Sequence, residues 1–308
     1  MYKTIQLQLR HALIALLSLF WLSCSSSDDN GGSQDPETIN GIFEHGGLTR
    51  EYQLYKPAGI KEDAALVFVL HGYSGSSSLI RNYSAMNALA DEFGFAVCYP
   101  QGLIDGAGNA FWNVGYEFHQ DQTVDDSDFL KSLAQALQNE HQLSKASTFV
   151  TGMSNGGDMC YMLACEQADT FKAIAPVAGT MMKTIYDDCT TTGMPVLEIH
   201  GDNDGITLWE GDLDNNDGYG PYFPVLDTFN FWADQNNCGA TTSEDLPDLV
   251  PSDNSTVTVI KYNDCANEKQ VWLYRINNGG HDWPKSSGNQ DISASREIWR
   301  FFSQYVVN

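Results

Sequence analysis

The chain has 308 residues, 42% hydrophobic and 12% aromatic, a globular composition that argues against a disordered, fibrous or polytopic membrane protein. Its 16 Lys and Arg stand against 40 Asp and Glu, a formal charge of −24. Such a surface repels a phosphate backbone and an anionic lipid face, which sets nucleic acid aside as a partner and leaves only a covalent or apolar tie to a membrane.

Lys3 and Arg10, with no acidic residue, precede an apolar run over residues 12–22. The run is too short to cross a bilayer comfortably and fits the core of a signal peptide. It ends in Trp21-Leu22-Ser23-Cys24, which resembles a bacterial lipobox, where cleavage before Cys24 leaves its thiol to carry lipid. Trp21 stands where that pattern has an aliphatic residue, so ordinary secretion stays open beside lipid anchoring. Residues 1–23 are expected to be a lipoprotein signal peptide and residues 24–40 a flexible tether, because residues 25–36 (SSSDDNGGSQDP) hold no apolar side chain. The acidic start of that tether resembles the segment behind the lipidated cysteine of surface lipoproteins. Without the first 23 residues, 14 basic side chains face 40 acidic ones, a charge of −26. The expected location is outside the cytoplasm, lipid-anchored to the cell envelope, surface-exposed on an outer membrane, or secreted.

Residues 41–308 read as one domain. Residues 51–56 (EYQLYK) alternate like an edge strand, and residues 64–70 (AALVFVL) form a continuous apolar run of the kind buried on both faces. A helical stretch over 79–93 leads to a strand at 95–99, stopped by Pro100. Phe129, Leu130, Leu133, Ala134 and Leu137 recur at helical spacing within 126–141. A strand at 148–153, a helix from 155 to 167, strands at 173–177 and 195–199, a helix at 225–236, a strand at 271–276 and a helix at 292–305 follow. This alternation predicts an α/β fold, a mostly parallel sheet with helices on both faces and its ligand site at the carboxyl ends of the strands.

Gly152-Met153-Ser154-Asn155-Gly156-Gly157 lies between a predicted strand and a predicted helix, the setting in which G-x-S-x-G forms a nucleophile elbow. Ser154 is the expected nucleophile. A serine hydroxyl needs a base. Of seven histidines, His281 follows Asn278-Gly279-Gly280 behind the last strand, on the sheet edge where the elbow opens and late in the chain, as the order Ser, acid, His requires. The acid that orients it is expected in His200-Gly-Asp202-Asn-Asp204. Asp204 is favoured over Asp202, since the later position has the longer reach back over the sheet. Backbone N–H groups of Asn155 and of Tyr73, in the Gly-rich loop after the strand ending at Leu70, are the expected oxyanion hole. Asp158, on the helix behind the elbow, is expected to be a solvated carboxylate.

These residues resemble a known family. Val124-Asp125-Asp126 through Phe129, Val150 through Gly157, Leu163-Ala-Cys165, Ala173 through Gly179, His200 through Asp204 and Gly279 through Pro284 look like the polyhydroxybutyrate depolymerase and feruloyl esterase family. The likeness covers most of residues 48–308 and implies an α/β-hydrolase fold with Ser154, Asp204 and His281 as its triad. It also places Trp112 and Trp283 beside the substrate cleft and implies a Cys238–Cys265 disulfide. Asp282 stands where the family usually has Thr, and residues 210–220 form an acidic loop of this chain's own.

With Cys24 assigned to lipid, six cysteines remain, and export permits disulfides among them. Cys238 and Cys265 flank a polar excursion, whereas Cys98, Cys160 and Cys165 fall in core elements and are expected to be packing residues. No metal site and no cofactor is expected. Asp212, Asp214, Asn216 and Asp217 cluster oxygens, but the following glycine is one place late for a calcium loop and no closing Glu stands there. The expected function is an exported serine carboxylic-ester hydrolase acting on feruloyl or acetyl esters of plant polysaccharide. A polyhydroxybutyrate depolymerase is the alternative within that class, and a catalytically inactive surface-binding lipoprotein the alternative outside it. A complete Ser, acid, His set favours the enzyme.

Overall fold

The computed structural model describes residues 35–307. The signal peptide, most of the tether and the lipid-attachment reading at Cys24 lie outside the described residues. In chain order the strands are β1 (Glu37–His45), β2 (Leu48–Lys56), β3 (Leu66–Leu70), β4 (Ala96–Pro100), β5 (Leu103–Ile104), β6 (Ala110–Phe111), β7 (Thr148–Met153), β8 (Ile174–Val177), β9 (Val196–Gly201), β10 (Thr241–Asp245), β11 (Thr256–Tyr262) and β12 (Val271–Asn277). The helices are α1 (Ser77–Ser84), α2 (Met86–Phe93), α3 (Asp126–Glu140), α4 (Asn155–Glu166), α5 (Lys183–Asp188), α6 (Val225–Gln235) and α7 (Ala294–Phe302).

Ten strands form one sheet in the order β1-β2-β4-β3-β7-β8-β9-β12-β11-β10, and β5 pairs only with β6 in a small separate ribbon. The six central strands, β4 to β12, run parallel, and an antiparallel pair closes each edge. Period-two alternation divides the core into two layers. Leu66, Phe68 and Leu70 of β3 pack under α3, α4 and α6, while Val67 and Val69 face α1, α2 and α7. The expected α/β-hydrolase architecture is the observed one.

Four local expectations change. Residues 37–40, expected as tether, already belong to β1, which pairs with β2 along its whole length. The tie is tight at Gly41, where an added Cβ would lie 2.1 Å from the ring of Tyr52. The helix expected over 79–93 breaks at Ala85, which takes a left-handed conformation (φ 51°) between α1 and α2. The polar excursion between Cys238 and Cys265 contains the hairpin β10–β11. It escapes a hydropathy reading because all five residues of β10 are exposed, although Val257 and Val259 of β11 alternate inward. Finally, Cys165 is bonded to Cys189, because α5 folds back beside α4 and brings the residue just past its end across; Cys238 is bonded to Cys265 as the resemblance implies. Cys98 and Cys160 remain buried free thiols.

One buried ion pair ties the edge to the core. Arg50 of β2 donates to Asp126, the first residue of α3, at 2.6 Å, with side chains 1% and 0% exposed. The Asn113 N–H fills the second carboxylate oxygen, and the guanidinium lies over Phe129. Removing one member leaves the other charged and dry, which costs about 3–5 kcal/mol. Asp126→Ala should therefore lower the unfolding free energy by that amount in urea titrations, whereas Asp128→Ala, at an exposed site, should change it by less than about 1 kcal/mol.

Candidate active site

The site begins with a crowded turn. Between β7 and α4 the backbone reverses at Ser154, held at φ 56° and ψ −125°, a conformation that non-glycine residues adopt only when the surroundings impose it. Glycines make the reversal possible. A Cβ on Gly152 would stand 2.4 Å from the Gly156 carbonyl, and one on Gly156 would stand 2.6 Å from the carbonyls of Leu70 and His71. The turn thus lies directly on the end of β3. Ser154 N–H donates to Val177 O (2.9 Å), so the end of β8 fixes it from the other side.

The structure brings Ser154, Asp204 and His281 to one place. Both Ser154 and His281 line a cavity of about 250 Å³ and a more open one of about 510 Å³, with Tyr73 shared between the two. His281 Nδ1 donates to Asp204 Oδ2 at 2.7 Å, and Asp204 is buried. Asp204 Oδ1 accepts the Ile206 and Thr207 N–H groups (2.8 and 3.0 Å). Asp202 points elsewhere. It takes Arg275 Nε and Nη2 (2.9 and 2.6 Å) and the Asn278 N–H, pinning the loop that carries His281. The two loops touch at Gly201, where a Cβ would be 2.4 Å from the Gly279 carbonyl.

Behind Asp204 lies a second histidine, absent from the sequence reading as a site residue. His200 Nε2 is 3.5 Å from Asp204 Oδ2 and 2.9 Å from Thr207 O, while Nδ1 is 2.9 Å from Glu198 Oε1. A carbonyl can only accept, so Nε2 carries a hydrogen. Tyr161 donates to the other Glu198 oxygen at 2.5 Å. Burial raises the Glu198 pKa to about 7 against the opposing pull of His200. Burial works against a charged His200, but Glu198 and Asp204 outweigh it and its pKa is also raised.

The loop after β3 is fixed as firmly. His71 is buried and its pKa falls to about 4, chiefly through desolvation, so the ring is neutral. Its Nε2 accepts the Gly102 N–H (3.0 Å), which places the hydrogen on Nδ1 for donation to Gly72 O (2.7 Å). The Tyr73 hydroxyl donates to Asp105 Oδ2 (2.6 Å) and accepts from Asn109 (2.9 Å), both on the β5–β6 ribbon, and Ser74 N–H donates to Ala110 O. His119 packs against the same Asp105 oxygen at 3.1 Å. Tyr73 first, with the Asn109 and Ala107 N–H groups and His119, holds the Asp105 carboxyl well below the usual carboxylate range. Neither the Tyr73 N–H nor the Asn155 N–H meets an acceptor among the described residues, as donors awaiting an oxyanion should.

Three expected placements are corrected. Trp112 and Trp283 are 0% and 1% exposed and line neither cavity. Trp112 instead clamps the site from beneath. Its indole donates to His71 O, and its backbone exchanges two hydrogen bonds with the Asn155 side chain (2.7 and 3.0 Å). Trp283 donates to Ser295 of α7. Large aromatic residues near a motif are as readily consumed by packing as by substrate. Asp158, expected to be solvated, is 3% exposed. It takes the Tyr116 hydroxyl (2.6 Å) and the Thr180 N–H (2.8 Å). Asp282 accepts from Ser287. In the acidic loop, Asp212 caps Asn216 and Asp217, and no metal-holding group of side chains occurs among the described residues.

Residues 50–225 match the family described as esterase PHB depolymerase. The chain belongs to that family. As a member it is a carboxylic-ester hydrolase. It is 28% identical to feruloyl esterase C of Emericella nidulans over 96% of its own length and 98% of that protein's. It is 24% identical to a bifunctional acetylxylan esterase/xylanase of Neocallimastix patriciarum over 88% of its own length, spanning 36% of that longer protein. Among solved structures, the acetyl xylan esterase from Aspergillus awamori superposes with a TM-score of 0.61 at 15% identity, over 88% of this chain and 99% of the other, which is a likeness of fold.

Desolvation, opposed by the Tyr116 and Thr180 hydrogen bonds, raises the Asp158 pKa from 3.8 to about 6 in this esterase. An acid that holds its proton more tightly when folded contributes most below its unfolded pKa and loses that contribution as pH rises through the folded one. Between pH 4 and pH 7 the wild type should therefore lose stability relative to Asp158→Asn, by on the order of 3 kcal/mol at most. Urea unfolding of both proteins at the two pH values measures the change in their difference.

Proposed function

We propose that the protein is an exported serine esterase that cleaves feruloyl or acetyl esters of plant polysaccharide through an acyl-enzyme. The observation that carries the mechanism is the buried Asp204–His281 hydrogen bond beside Ser154 on its strained turn. In this reading His281 takes the Ser154 proton as the hydroxyl oxygen bonds to the ester carbon, and the oxyanion forms between the Tyr73 and Asn155 N–H groups. Its collapse breaks the ester C–O bond, and His281 returns the proton to the departing alcohol. Water, deprotonated by the same imidazole, then releases the acid. Asp204 holds the tautomer and stabilises the imidazolium without taking the proton.

The names of the relatives favour polysaccharide esters, and the two cavities either side of Ser154 offer separate places for acyl and alcohol groups. The family's description keeps a polyhydroxybutyrate ester as the second reading. Two disulfides fit export into an oxidising compartment, and the Ser23-Cys24 junction after an apolar run favours a lipid on Cys24.

In p-nitrophenyl acetate assays, Ser154→Ala should lower kcat on the order of a millionfold. Asp204→Asn should lower it by about ten-thousandfold through the wrong imidazole tautomer, and Asp202→Asn far less. Full activity in Ser154→Ala would reject the mechanism, and the reverse order of the two Asp variants would move the acid to Asp202. For the anchor, radiolabelled palmitate should enter the wild-type protein in a bacterial host and be lost in Cys24→Ser; a wild type recovered unlabelled in the medium would mean ordinary secretion.

A further inference from the structure

The mechanism leaves one buried acid at the cleft without a task. Asp158 is the only carboxyl-bearing residue among those described that line the 250 Å³ cavity. Its N–H donates to Ser154 O at 2.9 Å, and both residues line that cavity. The carboxyl thus stands one turn behind the nucleophile, in the wall beside it. Each of its oxygens has one donor, the Tyr116 hydroxyl on Oδ2 and the Thr180 N–H on Oδ1. A carboxylate offers about four acceptor directions, so two are left.

Two neighbouring hydroxyls of that wall already have partners. The Thr180 hydroxyl is taken up by Phe223 O and Thr228, and the Tyr222 hydroxyl accepts the Leu208 N–H. Met182, Ile206 and Tyr219 supply apolar surface. A buried carboxyl with open acceptor directions is costly in such surroundings unless a donor comes from the cleft.

We infer that Asp158 is a specificity-determining residue that accepts a hydrogen bond from a substrate hydroxyl standing close to the scissile ester. The inference rests on the esterase reading of Ser154. Reach defines the chemistry. With Asp158 N–H bonded to Ser154 O and both residues in the wall of one small cavity, the hydroxyl must lie only a few bonds from the ester carbonyl carbon. Two sources satisfy this, a hydroxyl on the β-carbon of the acyl group and a hydroxyl on the sugar carbon next to the acylated one. The phenolic hydroxyl of a feruloyl group lies across a vinyl spacer and a ring, beyond that reach. Its bulk suits the more open 510 Å³ cavity walled by Leu79, Ile80, Tyr83 and Met153.

Two matched pairs of esters test this on the full chain. One pair is p-nitrophenyl 3-hydroxybutyrate and p-nitrophenyl butyrate; the other is methyl 2-O-acetyl-β-xylopyranoside and its 3-deoxy counterpart. The wild type should favour the hydroxyl-bearing member of at least one pair by roughly ten- to hundredfold in kcat/KM, the worth of one hydrogen bond to a charged group. Which pair responds tells whether the hydroxyl belongs to acyl or alcohol. The ratio should fall toward one in Asp158→Ala and severalfold in Asp158→Asn, the latter keeping the side-chain shape should the Ala variant not fold. Wild-type ratios near one in both pairs, or ratios untouched by the substitutions, would overturn the inference while Ser154-dependent turnover left the esterase reading standing. No Ser154-dependent turnover of any of the four esters would reject both.

Discussion

The contact on which the site depends is the backbone-to-backbone approach of the β7–α4 turn to the end of β3. Gly156 sits against the carbonyls of Leu70 and His71, too close for any Cβ, so Ser154 and the loop of Tyr73 are positioned by the same packing. Side chains then lock what the glycines allow. Asn155 follows Ser154, and its amide group bridges donor and acceptor of the Trp112 backbone. Trp112 in turn holds His71 O. Each bond is worth about 1 kcal/mol net, but leaving one buried partner unmet costs about 1–3 kcal/mol. That asymmetry favours one geometry over its neighbours.

The same logic places the polar clusters at the carboxyl ends of the strands. His71 and His200 each stand where a parallel strand gives way to a loop, and each engages both ring nitrogens, His71 with Gly72 and Gly102, His200 with Glu198 before it and Thr207 after it. His71 does so as a neutral ring between Gly72 and Gly102, His200 hydrogen-bonded to Glu198 on the same strand. One cluster fixes the loop of Tyr73, the other the loop of Asp204. The β5–β6 ribbon joins the first through Asp105 and Asn109, so two short strands outside the main sheet act as a brace for the loop of Tyr73.

Much of this was legible in the sequence, and the misses have physical causes. The buried strands announce themselves because both faces are covered, giving runs such as LVFVL in β3. Gly152, Ser154 and Gly156 are readable because sterics at the turn admit few alternatives. The edges were not readable. β10 buries no side chain, and β1 alternates exposed with half-buried residues, so no apolar periodicity marks them. Trp112 and Asp158 were misplaced for a different reason. Pattern locates a residue near the site but does not say which way its side chain turns, and that depends on Asn155, Tyr116 and Thr180, each distant in sequence from at least one partner. The Cys165–Cys189 bond depends on the fold-back of the short helix α5, for which the sequence carries no periodic signal.

The acidity of the protein acts on the cleft mainly through its few buried carboxyls. Charges on the surface are screened over about 8 Å at physiological salt, whereas Glu198, Asp204 and Asp158 are each no more than 4% exposed. Glu198 and Asp204 both contact His200, and Asp204 also bonds His281. Asp158 has neutral donors only. An ionised Asp158 puts a negative charge in the wall of the smaller cavity, within Coulombic reach of His281. That charge disfavours a carboxylate beside it. The electrostatics of the cleft thus select for neutral, hydroxyl-bearing groups next to the scissile bond, a preference set by one side chain rather than by the net charge of the chain.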